Sequence, residues 1–240
     1  MDTAYQTSSN TSTKRSSSAL TAILKTFVTL SVPILLTLVS VRLIMSPLFL
    51  QLEYTRSGFP EDFYGFTTDD RLRYAPYALD YLLTGADISY LGDLRFDDDT
   101  SMYSVPELEH MRDVQTVTRT AFALALVIGL ITIAAAYFLW RAQSTRRDLR
   151  RAFFNGAVLT LGLIVAIVIT AVIGWDTFFT TFHRLFFTGD SWIFDYSDTL
   201  IRLFPEQFWF DAALTIGALT VSGAVAILLI ARPRKTADAA

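Results

Sequence analysis

The side chains able to do acid–base chemistry at neutral pH are few. The chain has two histidines, His110 and His183, and no cysteine. Without cysteine, a thiolate nucleophile, a structural disulfide and a cysteine-based zinc site are excluded. His110 stands between two carboxylates, in Glu107-Leu108-Glu109-His110-Met111-Arg112-Asp113. On a helix, Glu107 and Asp113 each lie about 60° from the histidine around the axis, on one face. A carboxylate beside an imidazole fixes its tautomer and stabilises its protonated form. His183 lies in Phe182-His183-Arg184-Leu185-Phe186-Phe187, inside a segment crowded with aromatics from Trp175 to Phe210. Three readings fit these residues. The imidazoles and carboxylates make an acid–base site, or they hold a divalent metal, or they are solvated interfacial residues. No HExxH-type spacing supports the metal.

What must position these residues is a set of membrane helices. Hydrophobic residues make up 52% of the 240 residues and charged ones 18%. Four windows carry almost no charge: Ala22 to Val41, Ala121 to Trp140, Ala152 to Trp175 and Ala212 to Ala231. Each is close to the ~20 residues needed to cross a hydrocarbon core of ~30 Å. A charge at the centre of a span costs about 2.5–3.5 kcal/mol, and none of the windows has one there. The fold class expected is an all-α integral membrane protein with four spans.

Eleven of the twenty basic residues fall in the N-terminal arm (Lys14, Arg15, Lys25), the loop between spans two and three (Arg141, Arg146, Arg147, Arg150, Arg151) and the tail (Arg232, Arg234, Lys235). The positive-inside rule makes these stretches and both termini cytoplasmic. Twenty of the twenty-three acidic residues fall in residues 42–118 and 176–211, which then form the two outer loops. Both histidines lie near span ends in those loops, so they can meet at the outer interface. The first window is too long for a signal-peptide core and no small-x-small cleavage site follows it, so it reads as a retained span. Residues 1–20, rich in Ser and Thr, read as a disordered arm, residues 21–232 as one four-helix membrane domain, and 233–240 as a tail.

Within the first outer loop, Gly58-Phe59-Pro60 reads as a turn. Thr67-Thr68-Asp69-Asp70 is a helix start. The apolar residues Leu72, Tyr74, Ala75, Ala78, Leu79, Leu82 and Leu83 follow at helical spacing as far as Gly85. This amphipathic helix is expected to lie on the membrane or against the spans. Asp93, Asp97, Asp98 and Asp99 fit a solvated turn or a weak calcium site, without EF-hand spacing. Ser104-Val105-Pro106-Glu107 is a capping box that starts a helix running unbroken into span two. In the second outer loop, Asp195 or Ser197 can cap a short helix carrying Leu200, Ile201 and Phe204, and Pro205-Glu206 leads into span four. The aromatics of this loop suit headgroup depth and can touch acyl chains.

Two stretches resemble a known family. Glu107-Leu108-Glu109-His110-Met111-Arg112-Asp113-Val114-Gln115 is similar to the E-L-x-H-M-x-D-V-K signature of a family of four-span bacterial membrane proteins. Phe182-His183, Phe186-Phe187, Trp192-x-Phe194-Asp195, Asp198 and Leu203-Phe204-Pro205-Glu206 resemble that family's second outer loop. Its best-studied branch is the lipoprotein intramolecular transacylase Lit, and the likeness covers nearly the whole chain. Gln115 departs from the family's Lys, and Arg119 one turn later offers a replacement charge. The resemblance implies an enzyme of the bacterial cytoplasmic membrane acting on lipoproteins whose N-terminal Cys carries a diacylglyceryl thioether. The sn-2 acyl group would move from glycerol oxygen to the α-amine. The nucleophile is then the substrate's own nitrogen, and no cofactor, metal or nucleic acid is expected.

On this reading His110, oriented by Asp113 or Glu107, takes a proton from the amine, and His183 supplies a proton or stabilises the oxyanion, with the roles exchangeable. Met111, Arg119, Phe182, Phe186, Trp192, Asp195 and Glu206 would contact membrane lipid or the lipoprotein substrate. The competing class is a non-enzymatic membrane protein that binds lipid or a partner through the same aromatics. A channel or transporter would need ionisable groups within its spans, where the strongly polar residue is Asn155.

Overall fold

The computed structural model describes residues 5–187, 189 and 191–232, with side chains from Ala19 onward. The tail 233–240, with Arg234 and Lys235, and the side chains of Lys14 and Arg15 lie outside the described residues. The helices are α1 (Tyr5–Ile44), α2 (Pro47–Thr55), α3 (Thr68–Thr84), α4 (Ser89–Gly92), α5 (Val105–Arg141), α6 (Arg146–Ile173), α7 (Trp175–Phe186), α8 (Thr199–Leu203) and α9 (Glu206–Ala231). Among the described residues the sole β feature is one bridge between Arg95 and Ser101. α1 begins at Tyr5, inside the arm expected to be disordered.

Four helices are long and apolar enough to cross a membrane: Ala19–Ile44, Val105–Arg141, Arg146–Ile173 and Glu206–Ala231. This is the all-α, four-span architecture expected from hydropathy. In the fourth, 11% of the most apolar window is buried inside the protein, and the exposed Leu214, Leu219, Val225, Leu229 and Ile230 are left for lipid chains. α5 runs without a break through the capping-box start, as expected. At 37 residues it is about 55 Å long, well beyond the ~30 Å of hydrocarbon. The third span starts six residues before its window and ends two residues short of it. Gly174 separates α6 from α7, so Trp175 starts α7.

The chain divides into two compact units. The first holds the residues up to Thr37, Ala125–Val165 and those from Thr220. Small side chains let its helices approach closely. Val28, Ala135 and Ala152 form its buried apolar cluster. A Cβ on Gly156 would lie 2.7 Å from the Val32 Cβ and 2.8 Å from the Thr29 carbonyl oxygen. With little hydrophobic drive between helices in lipid, such close packing supplies much of the attraction. Gly156→Val is therefore expected to cost about 1–3 kcal/mol by overpacking, read as a lower thermal midpoint in detergent. Gly162→Ala, with nothing within 4 Å of the added carbon, should leave that midpoint unchanged. A Gly156→Val protein as stable as the control would show that this contact is dispensable. Lys25 pairs with Asp148 at 3.4 Å, and Arg150 donates to the carbonyls of Ile230 (3.0 Å) and Arg232 (3.4 Å).

The second unit, Leu38–Leu124 with Ala166–Leu219, contains both histidines. α3 organises it. Its start is the one expected at Thr67, where the structure shows a capping box with Asp70 returning the bond, and its end is Gly85 in the left-handed conformation. One face packs Tyr74, Ala78 and Tyr81 with Leu91, Met111 and Leu203. Another packs Ala75 and Leu79 with Phe49, Tyr54 and Phe208. Arg71, buried on α3, donates to the Pro60 carbonyl (2.7 Å) and the Arg202 carbonyl (2.9 Å), joining loop and α8 to this core. α2 starts with Ser46 as N-cap and Pro47 in its first turn. Arg56 ties it to α9 by bonding both Glu53 (3.0 Å) and Asp211, and Gln207 also donates to Asp211 at 2.9 Å. Burial pushes the Glu53 carboxyl up, and the Asp211 carboxylate beside it adds to that, against the pull of Arg56.

Candidate active site

His110 lies in the second turn of α5, and the start of that helix is held by Glu107. The Glu107 carboxylate is 2% exposed. One oxygen accepts the Ser104 N–H at 2.7 Å, half of the expected capping box. The other accepts the Leu200 N–H at 2.7 Å. Leu200 is the second residue of α8, whose own N-cap, Asp198, makes no side-chain capping bond. One carboxylate therefore serves two helix N-termini, where N–H groups lack partners within the helix. Asp195 and Ser197, the expected caps of α8, are not its cap. Asp195 instead donates its backbone N–H to the Asp198 carboxylate at 2.9 Å.

The apolar part of span two starts at Ala121, eleven residues beyond His110, or about 16 Å along the axis. His110 is thus outside the membrane-spanning segment. Its ring packs against Phe187 (5.0 Å between centroids) and Phe194 (5.3 Å). Nδ1 is buried and has no hydrogen-bond partner among the described residues. Burial pushes its pKa down to about 4, the nearby His183 adds to that, and Asp113 opposes it. Asp113 is exposed and acts on the ring through its field, with no hydrogen bond to Nδ1. Neither carboxylate fixes this ring in the way expected.

His183 occupies the last turn of α7. Its Nδ1 lies 2.8 Å from the carbonyl oxygen of Phe179, one turn earlier. A carbonyl oxygen only accepts, so Nδ1 carries the hydrogen and donates it. The neutral ring then has its lone pair on Nε2. Burial pushes the His183 pKa down, against the opposing effect of that bond. Phe179 stacks at 4.1 Å, Trp192 at 4.9 Å and Phe187 at 5.8 Å. Phe187 touches both imidazoles, so the two histidines meet across one phenyl ring. At neutral pH both are uncharged in a low-polarity setting, which suits proton transfer.

The other expected site residues separate into two sets. Trp192 stands at His183. Phe182 and Phe186 form a ring pair at 5.0 Å on α7, 50% and 45% exposed, beside Leu185 at 76%. Met111 is instead buried in the core of the second unit. Arg119 donates to the Gly85 carbonyl at 3.4 Å, and Gln115 donates to the carbonyls of Tyr81 (2.8 Å) and Ala86 (3.1 Å). These two residues close the C-terminal end of α3, where carbonyls lack helical partners. Asp195 and Glu206 are exposed on the second loop. Sequence reasoning did not single out Phe179, Phe187 or Phe194 as site residues. The available signals were the spacing of Phe179, one helical turn before His183, and the places of Phe187 and Phe194 in the stretches that resemble the family. Among the described residues no group of three or more His, Asp or Glu is placed to hold a metal ion.

An uncharacterized protein of Aquifex aeolicus (strain VF5) is 29% identical over 189 residues, covering 79% of this chain and 84% of that protein. The in meso structure of the membrane integral lipoprotein intramolecular transacylase Lit from Bacillus cereus superposes with a TM-score of 0.73 at 19% identity. The match covers 90% of this chain and 95% of that one. A structure of the same Bacillus cereus protein with one histidine replaced by alanine gives 0.70 at 17% identity, over 92% and 96% of the two chains. Residues 24–209 match the family described as lipoprotein intramolecular transacylase Lit, a stretch that includes both histidines, and the chain belongs to that family.

Proposed function

We propose that this chain is a membrane acyltransferase that moves an acyl chain within a diacylglyceryl-Cys lipoprotein, from the glycerol ester oxygen to the N-terminal amine. The observation that carries this reading is the pair of uncharged imidazoles meeting on Phe187, one pinned as a proton acceptor. The site faces the outer leaflet of the bacterial cytoplasmic membrane, with both termini cytoplasmic, as the charge distribution of the loops requires.

The reaction is aminolysis of an ester. An α-amine has a pKa of about 7.7–8.0 and attacks only when neutral. Its nitrogen bonds to the ester carbonyl carbon, the bond from that carbon to the glycerol oxygen breaks, and one proton passes from nitrogen to that oxygen. The bond to the Phe179 carbonyl leaves the His183 lone pair on Nε2. We therefore assign the base to His183 rather than to His110, the reverse of the assignment favoured by the flanking carboxylates. His110, with Nδ1 uncommitted, takes that proton over from His183 and delivers it to the glycerol oxygen, so both rings end uncharged. The proton gained by the pair equals the proton given back, so no cofactor is needed. The exposed ring pair Phe182–Phe186 with Leu185 offers acyl chains an apolar face. The half-exposed aromatics would equally serve a protein that only binds lipid, so the product decides.

Substrate and product have the same mass. Tandem mass spectrometry of lipoprotein N-terminal peptides from cells with and without this protein distinguishes them by fragmentation. N-acyl, monoacylglyceryl-Cys is expected only where the protein is present. Diacylglyceryl-Cys in both samples would overturn the reading and leave the binding role.

A further inference from the structure

We infer that the indole N–H of Trp192 is the donor that stabilises the oxyanion of the tetrahedral intermediate. This rests on the acyl-transfer reading above. When the amine attacks, the carbonyl oxygen of the ester acquires a full negative charge. Aminolysis in a dry aromatic site needs a donor aimed at that oxygen.

His183 does not supply it. Its one N–H, on Nδ1, is committed to the Phe179 carbonyl, and its other nitrogen accepts. Of the aromatic side chains packed on either imidazole, Phe179, Phe182, Phe187 and Phe194 carry no polar hydrogen. Trp192 is the exception. Its ring lies 4.9 Å from His183 with 30° between the planes, so its position is tied to that of the base. Its Nε1 is buried and has no hydrogen-bond partner among the described residues. An indole nitrogen is a donor only. Leaving such a donor buried and unpaired is costly. A partner that appears during turnover removes that cost when the barrier is crossed. An oxyanion is a stronger acceptor than the ester carbonyl it replaces, so the bond favours the transition state over bound substrate. Trp175 sharpens the assignment. Its Nε1 is buried and unpaired in the same way, but its ring packs on Phe178, Phe179 and Phe210 and touches neither histidine.

The test uses the purified full chain in detergent and a synthetic dipalmitoylglyceryl-Cys peptide without lysine. Turnover is followed as loss of the reactive α-amine at constant mass. Trp192→Phe keeps an aromatic ring and removes the N–H. Benzothienylalanine incorporated at the same position keeps the full bicyclic shape with sulfur in place of N–H. Both are expected to lower kcat by about 10²–10³-fold, the size of one lost oxyanion donor, with KM within about threefold. Trp175→Phe is expected to change kcat by less than about threefold. Wild-type kcat in the benzothienylalanine protein, with His183→Ala inactive, would overturn the donor role and leave the acyl-transfer reading standing. An equal loss in Trp175→Phe would also overturn it, by showing a packing effect. Full activity in His183→Ala would sink the acyl-transfer reading itself.

Discussion

His183→Ala is expected to lower acyl transfer by about 10²–10⁴-fold, the range for losing a positioned proton-transfer group. His110→Ala should fall in the same range, because the glycerol oxygen then leaves without its proton. The pH dependence is more telling than either loss. Burial holds His110 down at about 4 and His183 below its ordinary value, so neither imidazole titrates at neutral pH. The substrate amine, at about 7.7–8.0, becomes the group that limits the rate. Log kcat/KM should rise with unit slope from about pH 6.5 to 7.5 and then level off, because that parameter reports free enzyme and free substrate. An inflection near 6.5, measured with the dipalmitoylglyceryl peptide, would mean an ordinary solvated histidine and would remove the basis of the site. Stability moves in the same sense. Below the unfolded histidine value of about 6.5 the unfolded chain binds protons that folded His110 refuses. The folded state therefore weakens as pH falls from 6.5 toward about 4, and regains nothing below that.

Features written locally in the sequence are legible, and those that depend on distant partners are not. The four spans follow from apolar length. α3 follows from its periodicity, with Thr67 and Gly85 as punctuation, because a capping box and a left-handed glycine are local devices. The meeting of the histidines was inferable because each lies near a span end. Glu107 was misread for an instructive reason. Its spacing from His110 suggested a contact, while its oxygens reach Ser104 on one side and Leu200, ninety-three residues away, on the other. No local pattern announces that second bond. Gln115 is similar. As a departure from the family's Lys it looks like a lost charge, but its amide binds two carbonyls at the end of α3, work that calls for donors rather than a net charge. Met111 faces the core and His110 faces the aromatics, a choice that the helix alone does not make. The pairing of Arg56 with Glu53 and Asp211 was likewise hidden, since the acids belong to α2 and α9.

Glu107→Ala should give the largest loss of stability of any single substitution in the second unit. It removes two hydrogen bonds to a carboxylate, each worth about 1.5–3 kcal/mol, and leaves two buried N–H groups unpaired. A loss of about 3–6 kcal/mol is expected, with faster hydrogen exchange at the Ser104 and Leu200 amides. Glu107→Gln conserves shape but has a single accepting oxygen, so one N–H faces an NH2 group and roughly half the loss should remain. The same variant separates capping from orienting. If Glu107 tuned the imidazole, Glu107→Gln would move the titration of His110, followed by its ring NMR signals. The groups acting on His110 are its burial, His183 and Asp113, so its value near 4 should hold wherever the variant remains folded. A shifted titration with little loss of stability would restore the carboxylate to the catalytic group. An unshifted titration with a large loss makes Glu107 the residue that fixes where α5 and α8 begin, and so where His110 and Phe194 meet.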